Sequence, residues 1–336
     1  MKQITIITDY RGFLYSSVKN VDVGIDLSAF VTQLKQLGIE ATALYFRDVD
    51  LSHNWKDKVV VYQSSEDRGL FYKDYIEDVL ITLGEAGAII LPHFNAFRAH
   101  HNKAFQELYR PIILPESFIS SKVYGCFEDL FEHIDSIEFP CVLKASQGAK
   151  SKTVSLCHDR NELIKKSKKL SKCFDVTEWT KDFIKSLIRP YHVRVSQHKV
   201  KFIVQKFIPD LTGDFKVLIY GDKCVALERG LKKGDFRASG SGLLKVNEKI
   251  PENVITYAFE LSKRFDVPYG SFDIALNNGV PELIEYQFVT FGTSTLFLSN
   301  RYYQLDGERV IERKEKLNLE QTIAEAIVFY SRWKGW

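Results

Sequence analysis

The chain has 336 residues, with 46 lysines and arginines against 43 acids and a formal net charge of +3. That length allows two or three modest domains and a sizeable core. A charge so near balance gives no argument for nucleic acid, and no apolar run approaches the length of a membrane span. Cys126, Cys141, Cys157, Cys173 and Cys224 are scattered, odd in number and without metal-ligand spacing, which fits a reduced, cytoplasmic protein. The first residues run straight into a strand, so no signal peptide is expected. Lys165, Lys166, Lys168, Lys169 and Lys172 read as the solvated face of a helix.

Residues 1 to about 115 alternate between strand and helix signals. Ile4–Ile7 is a short apolar strand. Leu27, Phe30, Val31, Leu34 and Leu37 follow helical spacing, and Gly38 is placed to stop that helix. Strands are predicted at 41–46, 59–62, 88–91 and 111–114, with helices at 72–83 and 96–109 between them. Such alternation implies a parallel sheet with helices on its faces. No G-x-G-x-x-G follows the first strand, so this half-Rossmann domain is not expected to hold a dinucleotide itself.

Pro115 marks a boundary. Beyond it come a helix near 127–137, a strand at 139–145, a polar loop at 146–152, a strand at 153–157 and a lysine-rich helix from Asn161. Residues 183–190 are ambiguous between helix and strand. From Lys201 the chain turns strand-rich, at 202–207, 215–220 and 224–229. A glycine- and serine-rich loop, 236–244, precedes an amphipathic helix at 253–265 that Pro251 opens. Asn318 can cap a last helix whose Ile323, Ala324, Ile327 and Val328 form one apolar face. The domains read as 1–115, 116–200 and 201–336.

Residues 268–292 read as a hairpin around Asn277-Asn278-Gly279, with Leu276 opposite Val280 across a three-residue loop. Alternation then places Phe272, Ile274, Leu276, Ile284, Tyr286 and Phe288 on one face and Asp273, Glu285 and Gln287 on the other. Two carboxylates and an amide oxygen are hard ligands that suit Mg²⁺. The plain alternative is a set of acids on an exposed hairpin face.

Taken together, these segments resemble the ATP-grasp superfamily over roughly Ser121 to Gly292. The nearest pattern is the branch of ribosomal-protein glutamate ligases, glutathione synthetases and D-alanine–D-alanine ligases. The resemblance implies a half-Rossmann domain followed by a two-subdomain ATP-grasp fold, of mixed α/β and α+β class. Phe139-Pro140-Cys141-Val142-Leu143-Lys144 is similar to the strand whose lysine reaches the ATP phosphates, with Ser146 and Gly148 in the loop that lends backbone N–H groups. Lys122 resembles a second nucleotide lysine. Gln205, Lys206, Phe207 and Ile208 resemble the hinge that reads adenine, with Lys206 where an acid is usual. Asp214 and Lys216 resemble the Asp-x-Arg strand, Lys216 keeping the charge without the arginine fork. Arg229 resembles a phosphate-binding arginine. Arg237, in Gly234–Gly242, resembles the catalytic arginine. Asp273, Glu285 and Gln287 match the metal triad, Gln287 replacing an asparagine.

The activity so implied is Mg-ATP-dependent joining of a carboxylate to an amine, with Lys144 and Arg237 as catalytic groups and ATP and two Mg²⁺ ions as cofactors; Mn²⁺ is a substitute. The expected partners are small carboxylates and amines: an amino acid, a peptide or an acidic sugar. Dimers are usual among such enzymes. A kinase that stops at the phosphorylated acceptor and a nucleotide-binding module without turnover are the competing readings. A basic cleft of Arg98, Lys103, Arg237 and Lys245 would suit an acidic acceptor. His93, His100, His101 and Asn95 are further candidates in the first domain, although surface or capping roles are the simpler reading for the histidines.

Overall fold

Four short apolar strands open the chain and pair in parallel. The structure is a computed structural model, and it describes residues 2–15, 24–67, 69–117, 119–148, 153–209, 211–232, 243–246, 248–307 and 309–336. Contacts gather these into two compact units, Met1–His100 with Leu211–Trp336, and His101–Asp210. The units divide after residues 100 and 210, whereas the sequence reading divides after 115 and 200.

The first unit begins β1 (Gln3–Thr8), α1 (Leu27–Gln36), β2 (Glu40–Tyr45), β3 (Val59–Tyr62), α2 (Phe71–Glu85), β4 (Ile89–Leu91) and α3 (Phe94–Ala99). The sheet order is β2-β1-β3-β4, with β1 parallel to β2 and β3, and β3 to β4. Asp26 caps α1 by accepting from the N–H groups of Ser28 and Ala29.

The second unit holds α4 (Lys103–Ile113), β5 (Ser121–Tyr124), α5 (Phe127–Glu132), β6 (Cys141–Ala145), β7 (Val154–Cys157), α6 (Arg160–Ser171), α7 (Val176–Ile188) and β8 (Phe202–Lys206). Its antiparallel sheet runs β5-β8-β6-β7. Tyr124, Leu143, Phe202 and Val204 on one sheet face pack with Leu130 of α5 and Leu163 of α6. The strand predicted at 111–114 is instead the end of α4; a four-residue apolar run cannot be told from the last turn of a helix by periodicity. The single helix predicted at 96–109 is two helices, and Lys122 lies on a strand, β5. The ambiguous 183–190 segment falls largely within α7.

The first unit then resumes with β9 (Gly213–Tyr220), β10 (Lys223–Gly230), β11 (Leu244–Lys245), α8 (Glu252–Arg264), β12 (Tyr269–Asn277), β13 (Val280–Gln287), α9 (Ser294–Leu298), β14 (Tyr302–Asp306), β15 (Arg309–Arg313) and α10 (Leu319–Lys334). The strands make one sheet ordered β13-β12-β9-β10-β14-β15, with β11 on β10. One core cluster joins Ile4, Val59 and Leu91 of the parallel sheet to Leu218, Tyr220 and Tyr269 of this sheet, through Phe30 of α1 and Ile323 and Ile327 of α10. No helix among the described residues is long and apolar enough to cross a membrane.

The β12–β13 hairpin differs from its expected form in two compensating ways. Asn277 pairs with Val280, so the loop is only Asn278 and Gly279, both with positive φ (50° and 82°). That is the primed turn that Asn-Gly favours. A loop one residue shorter would place Asp273 opposite Ile284. A bulge between Asp273 and Ile274 absorbs Ile284 and restores Asp273 opposite Glu285, Phe272 opposite Tyr286 and Ser271 opposite Gln287. Ile284 therefore does not join the apolar face as expected. Leu283, fully buried, takes the place opposite Ile274.

Phe265, Phe272, Tyr286 and Phe288 close the apolar side, with ring centroids 4.5 Å apart for Phe265–Tyr286 and 5.0 Å for Phe265–Phe288. A Cβ at Gly270 would lie 2.7 Å from Cδ1 of Phe288, which those rings hold in place. Gly270→Ala is therefore expected to destabilise the protein by about 1–3 kcal/mol, as overpacking does. A thermal or denaturant melt measures this, and Phe288→Leu in the same chain should recover part of the loss.

Candidate active site

In the first unit, neighbouring strands bring a row of charged side chains onto one sheet face. Lys216 of β9, Asp273 of β12 and Glu285 of β13 are successive register partners, and Asp214 of β9 pairs with Arg229 of β10 on the same face. Period-two alternation keeps Asp214 with Lys216 and Glu285 with Gln287, and the bulge sets the latter pair with Asp273, so Asp214, Lys216, Arg229, Asp273, Glu285 and Gln287 share the face.

The charges interlock. Arg229 Nε and one terminal nitrogen donate to the two oxygens of Asp214 at 2.6 and 2.7 Å. That terminal nitrogen also lies 2.6 Å from Asp273 Oδ2, and Lys216 Nζ donates to Asp273 Oδ1 at 3.0 Å. Asp214 and Asp273 are both 6% exposed. Burial pushes the Asp214 carboxyl up to about 6, with the Asp273 charge adding to the shift and Arg229 opposing it. Burial also disfavours the Asp273 carboxylate, but Arg229 and Lys216 outweigh it and hold that group well below the usual range. Glu285 and Gln287 are half-buried, and the Gln287 amide donates to Glu285 Oε1 at 3.4 Å.

The second unit assembles a different group. Lys144 pairs with Ile203, and Gln205 with both Val142 and Ser121, so Lys144, Gln205 and Ser121 share a sheet face. α4 packs on β5 and β8 there. Its Glu107 accepts from Ser121 Oγ at 2.7 Å and from Arg110 Nε at 3.1 Å. Burial works against the Glu107 carboxylate, yet Arg110 and Lys144 lower its pKa overall. The Lys103 N–H, at the start of α4, donates to the Ser146 carbonyl at 2.8 Å, and Ser146 Oγ donates to Asn102 Oδ1 at 3.2 Å. Lys103, Glu107 and Arg110 thus belong to this group, although the sequence reading named only Lys103, and that for the acceptor cleft. The i, i+3 spacing of Glu107 and Arg110 was the available signal.

Lys122 pairs with Val204, which pairs with Leu143, so it stands on the opposite sheet face from Lys144. There it is exposed and its Nζ lies 5.6 Å from the Tyr124 ring centroid. Lys206 is exposed and ion-paired with Glu138 at 2.9 Å. Phe207 and Ile208 follow β8 and are half-buried, and Gly148 lies in the loop after β6. Arg237 lies outside the described residues. Arg98 Nη1 donates to both oxygens of Glu77 at 2.6 Å, and Lys245 holds Glu228 at 2.7 Å, so neither is an uncommitted cation. His93 Nε2 meets the Phe265 carbonyl at 2.8 Å; His100 is buried between Ser64 and Glu66. Asn95 is exposed on α3.

The donor set fits the groups that the sequence implies. Asp273, Glu285 and Gln287 offer hard oxygens with lone pairs to spare, suited to a cation that takes few protein ligands. The Nε2 atom of Gln205, buried on the Lys144 face, has no hydrogen-bond partner among the described residues, which leaves a donor for an acceptor bound there.

The sequence matches the RimK-like ATP-grasp domain over residues 100–280. No curated protein matches the chain by sequence. The fold is similar to that of the D-cycloserine synthetase DcsG, with TM-score 0.53, 13% identity, and coverage of 98% of this chain and 99% of that one. It is similar to the ATP-grasp ligase PsnB, solved with precursor peptide PsnA2 and AMPPNP, with TM-score 0.53, 12% identity, and coverage of 98% and 99%. It is also similar to the D-alanine–D-alanine ligase of Bacillus anthracis, with TM-score 0.52, 13% identity, and coverage of 100% and 99%.

Arg229 neutralises two buried carboxylates at once. Arg229→Ala is expected to cost about 3–5 kcal/mol in denaturant unfolding, because Asp214 loses its fork and Asp273 one of its two cations. Adding Asp214→Asn should recover part of this, since one unpaired charge is then removed.

Proposed function

Because the chain belongs to the RimK-like ATP-grasp family, we propose that it is a Mg-ATP-dependent ligase joining a carboxylate to an amine. The observation that carries this reading is the pairing of Asp273 with Glu285, with Gln287 beside them, on the face that holds Asp214, Lys216 and Arg229. Asp273 is buried and held ionised by Arg229 and Lys216, which is the form of a carboxylate that ligates a metal, and cations on the same face suit phosphate.

Asp273, Glu285 and Gln287 would hold the metal, which when bound offsets charge on the phosphates of ATP. The chain's other residues have positioning and electrostatic work. Lys144 would bind phosphate oxygens, with the Ser146–Gly148 loop adding backbone N–H donors. Lys103 joins this role by its place at Ser146, and takes over the part that the sequence reading gave to Lys122. Gln205, with a buried amide donor, and the half-buried Phe207 and Ile208 would contact the nucleotide base. Arg237 would stabilise the transferring phosphoryl group. An acceptor carboxylate oxygen attacks the γ-phosphorus and ADP leaves, giving an acylphosphate. An amine then attacks the acyl carbon, phosphate leaves with its bonding pair, and the nitrogen loses a proton to give the amide. An amino acid, a peptide or an acidic sugar would serve as acceptor.

The test is ADP release over pooled carboxylates and amines, followed by mass analysis of the product. Amide with stoichiometric ADP and phosphate is expected, and a chelator should abolish turnover. Glu285→Ala and Lys144→Ala should each lower turnover on the order of 100-fold while the protein stays folded. A stable phosphorylated acceptor would establish a kinase instead, and ATP binding without ADP release on any pool would establish a non-catalytic binder.

A further inference from the structure

Helix α7 is built inside out. Val176, Trp179, Phe183, Ile184 and Leu187 fall along one side of it at helical spacing, and every one is exposed, Leu187 by 71%. The one buried residue of the helix is Asp182, on the polar side. Asp182 Oδ1 meets His192 Nε2 at 2.7 Å, and its Oδ2 accepts from the Val195 N–H at 3.2 Å and Arg194 Nε at 3.4 Å. These bonds turn the polar side inward and the apolar side outward. Trp179 and Phe183 stack with centroids 5.4 Å apart, which stiffens the outward face. Past the helix, Tyr191 and Val193 are 97% and 86% exposed.

The excursion is anchored at its base. The Cys173 N–H donates to the Gln197 carbonyl at 2.9 Å, and the Val200 N–H to the Ser171 carbonyl at 3.0 Å. Charge surrounds the apolar face asymmetrically. Between residues 172 and 201 there are seven lysines and arginines against three acids, and one of those acids is the internally paired Asp182. Lys165, Lys168 and Lys169, exposed on α6, add to the same sign. An exposed apolar stripe of this extent marks an interaction surface. Its combination of Trp, Phe and Leu on one side with lysines and arginines around it is the pattern of a helix lying in a membrane interface.

We propose that α7 docks this protein onto an anionic lipid bilayer, its apolar side at the acyl boundary and the surrounding cations on acidic headgroups. The occupant is set by charge complementarity: a second copy would bring the same positive flank against itself, and a zwitterionic surface would leave it unanswered.

Sedimentation of the full chain with large vesicles tests this. Vesicles of phosphatidylcholine with a minority of phosphatidylglycerol should bind it at least about tenfold more tightly than phosphatidylcholine alone, with loss at high salt. Brominated lipid should quench Trp179 fluorescence, which Trp179→Phe removes. Ile184→Asp with Leu187→Asp should reduce binding about tenfold or more while leaving the thermal melt unchanged, since both positions are exposed in the folded chain. The proposal is overturned if the protein does not sediment with anionic vesicles, or if the Asp variant binds them as well as the parent does, which would mean adhesion by charge alone. It is also overturned if the parent is a lipid-independent dimer that the same variant splits, which would assign the face to a second copy.

Discussion

The first unit depends on a local charge balance. Two acids lie 6% exposed within a sheet, and each would be costly there alone. Arg229 forks onto one and reaches the other, and Lys216 closes the set, so two cations answer two carboxylates. Everything around this quartet is arranged so that the four side chains arrive together. Asp214 and Lys216 are two apart on β9, Arg229 sits opposite Asp214, and Asp273 sits opposite Lys216. A slip of one residue on any of the three strands would send one charge into the aromatic and aliphatic side of the sheet.

That sensitivity explains why β12 and β13 carry a correction in their pairing. The short Asn278-Gly279 turn fixes one register, and the quartet with Glu285 requires another. The bulge at Ile284 reconciles them. A bulge costs one ladder position and adds local twist, and such features cluster beside functional sites. Here it sets which residues of β13 face Asp273, and it leaves Phe272, Tyr286 and Phe288 packed on Phe265 on the reverse side.

Much of this was legible in the sequence. Alternating apolar residues with Asn-Gly between them announce a hairpin, and the acids at 273 and 285 share one side of it either with a three-residue loop or with a two-residue turn and one bulge. What single-residue patterns could not show was the pairing of distant strands. Lys122 illustrates the gap. Its odd-even place on β5 is visible only once Ser121 is known to face Gln205, and that register puts it opposite to Lys144. Glu107 and Arg110 were missed for a related reason. They read as ordinary surface charges of a helix, and only packing of α4 on β5 and β8 turns them inward. The 111–114 run misled in the other direction, since Ile112 looks like strand core and is an exposed residue in the last turn of α4.

The two departures from the family pattern within the quartet and its neighbour can be read together. A lysine at 216 offers one nitrogen with three donors, one of them on Asp273 Oδ1, and lacks the planar fork of an arginine. Arg229 carries the bidentate work instead, and it does so toward Asp214 while reaching Asp273. At 287, glutamine keeps an amide oxygen on a longer arm, and its amide nitrogen leans back onto Glu285. On the proposed reading, the first change replaces a planar fork by a point charge and the second lengthens the arm of an amide oxygen. The chemistry of a hard cation and of phosphate tolerates these changes, because both are satisfied by oxygen or charge placed at the right distance rather than by one planar partner.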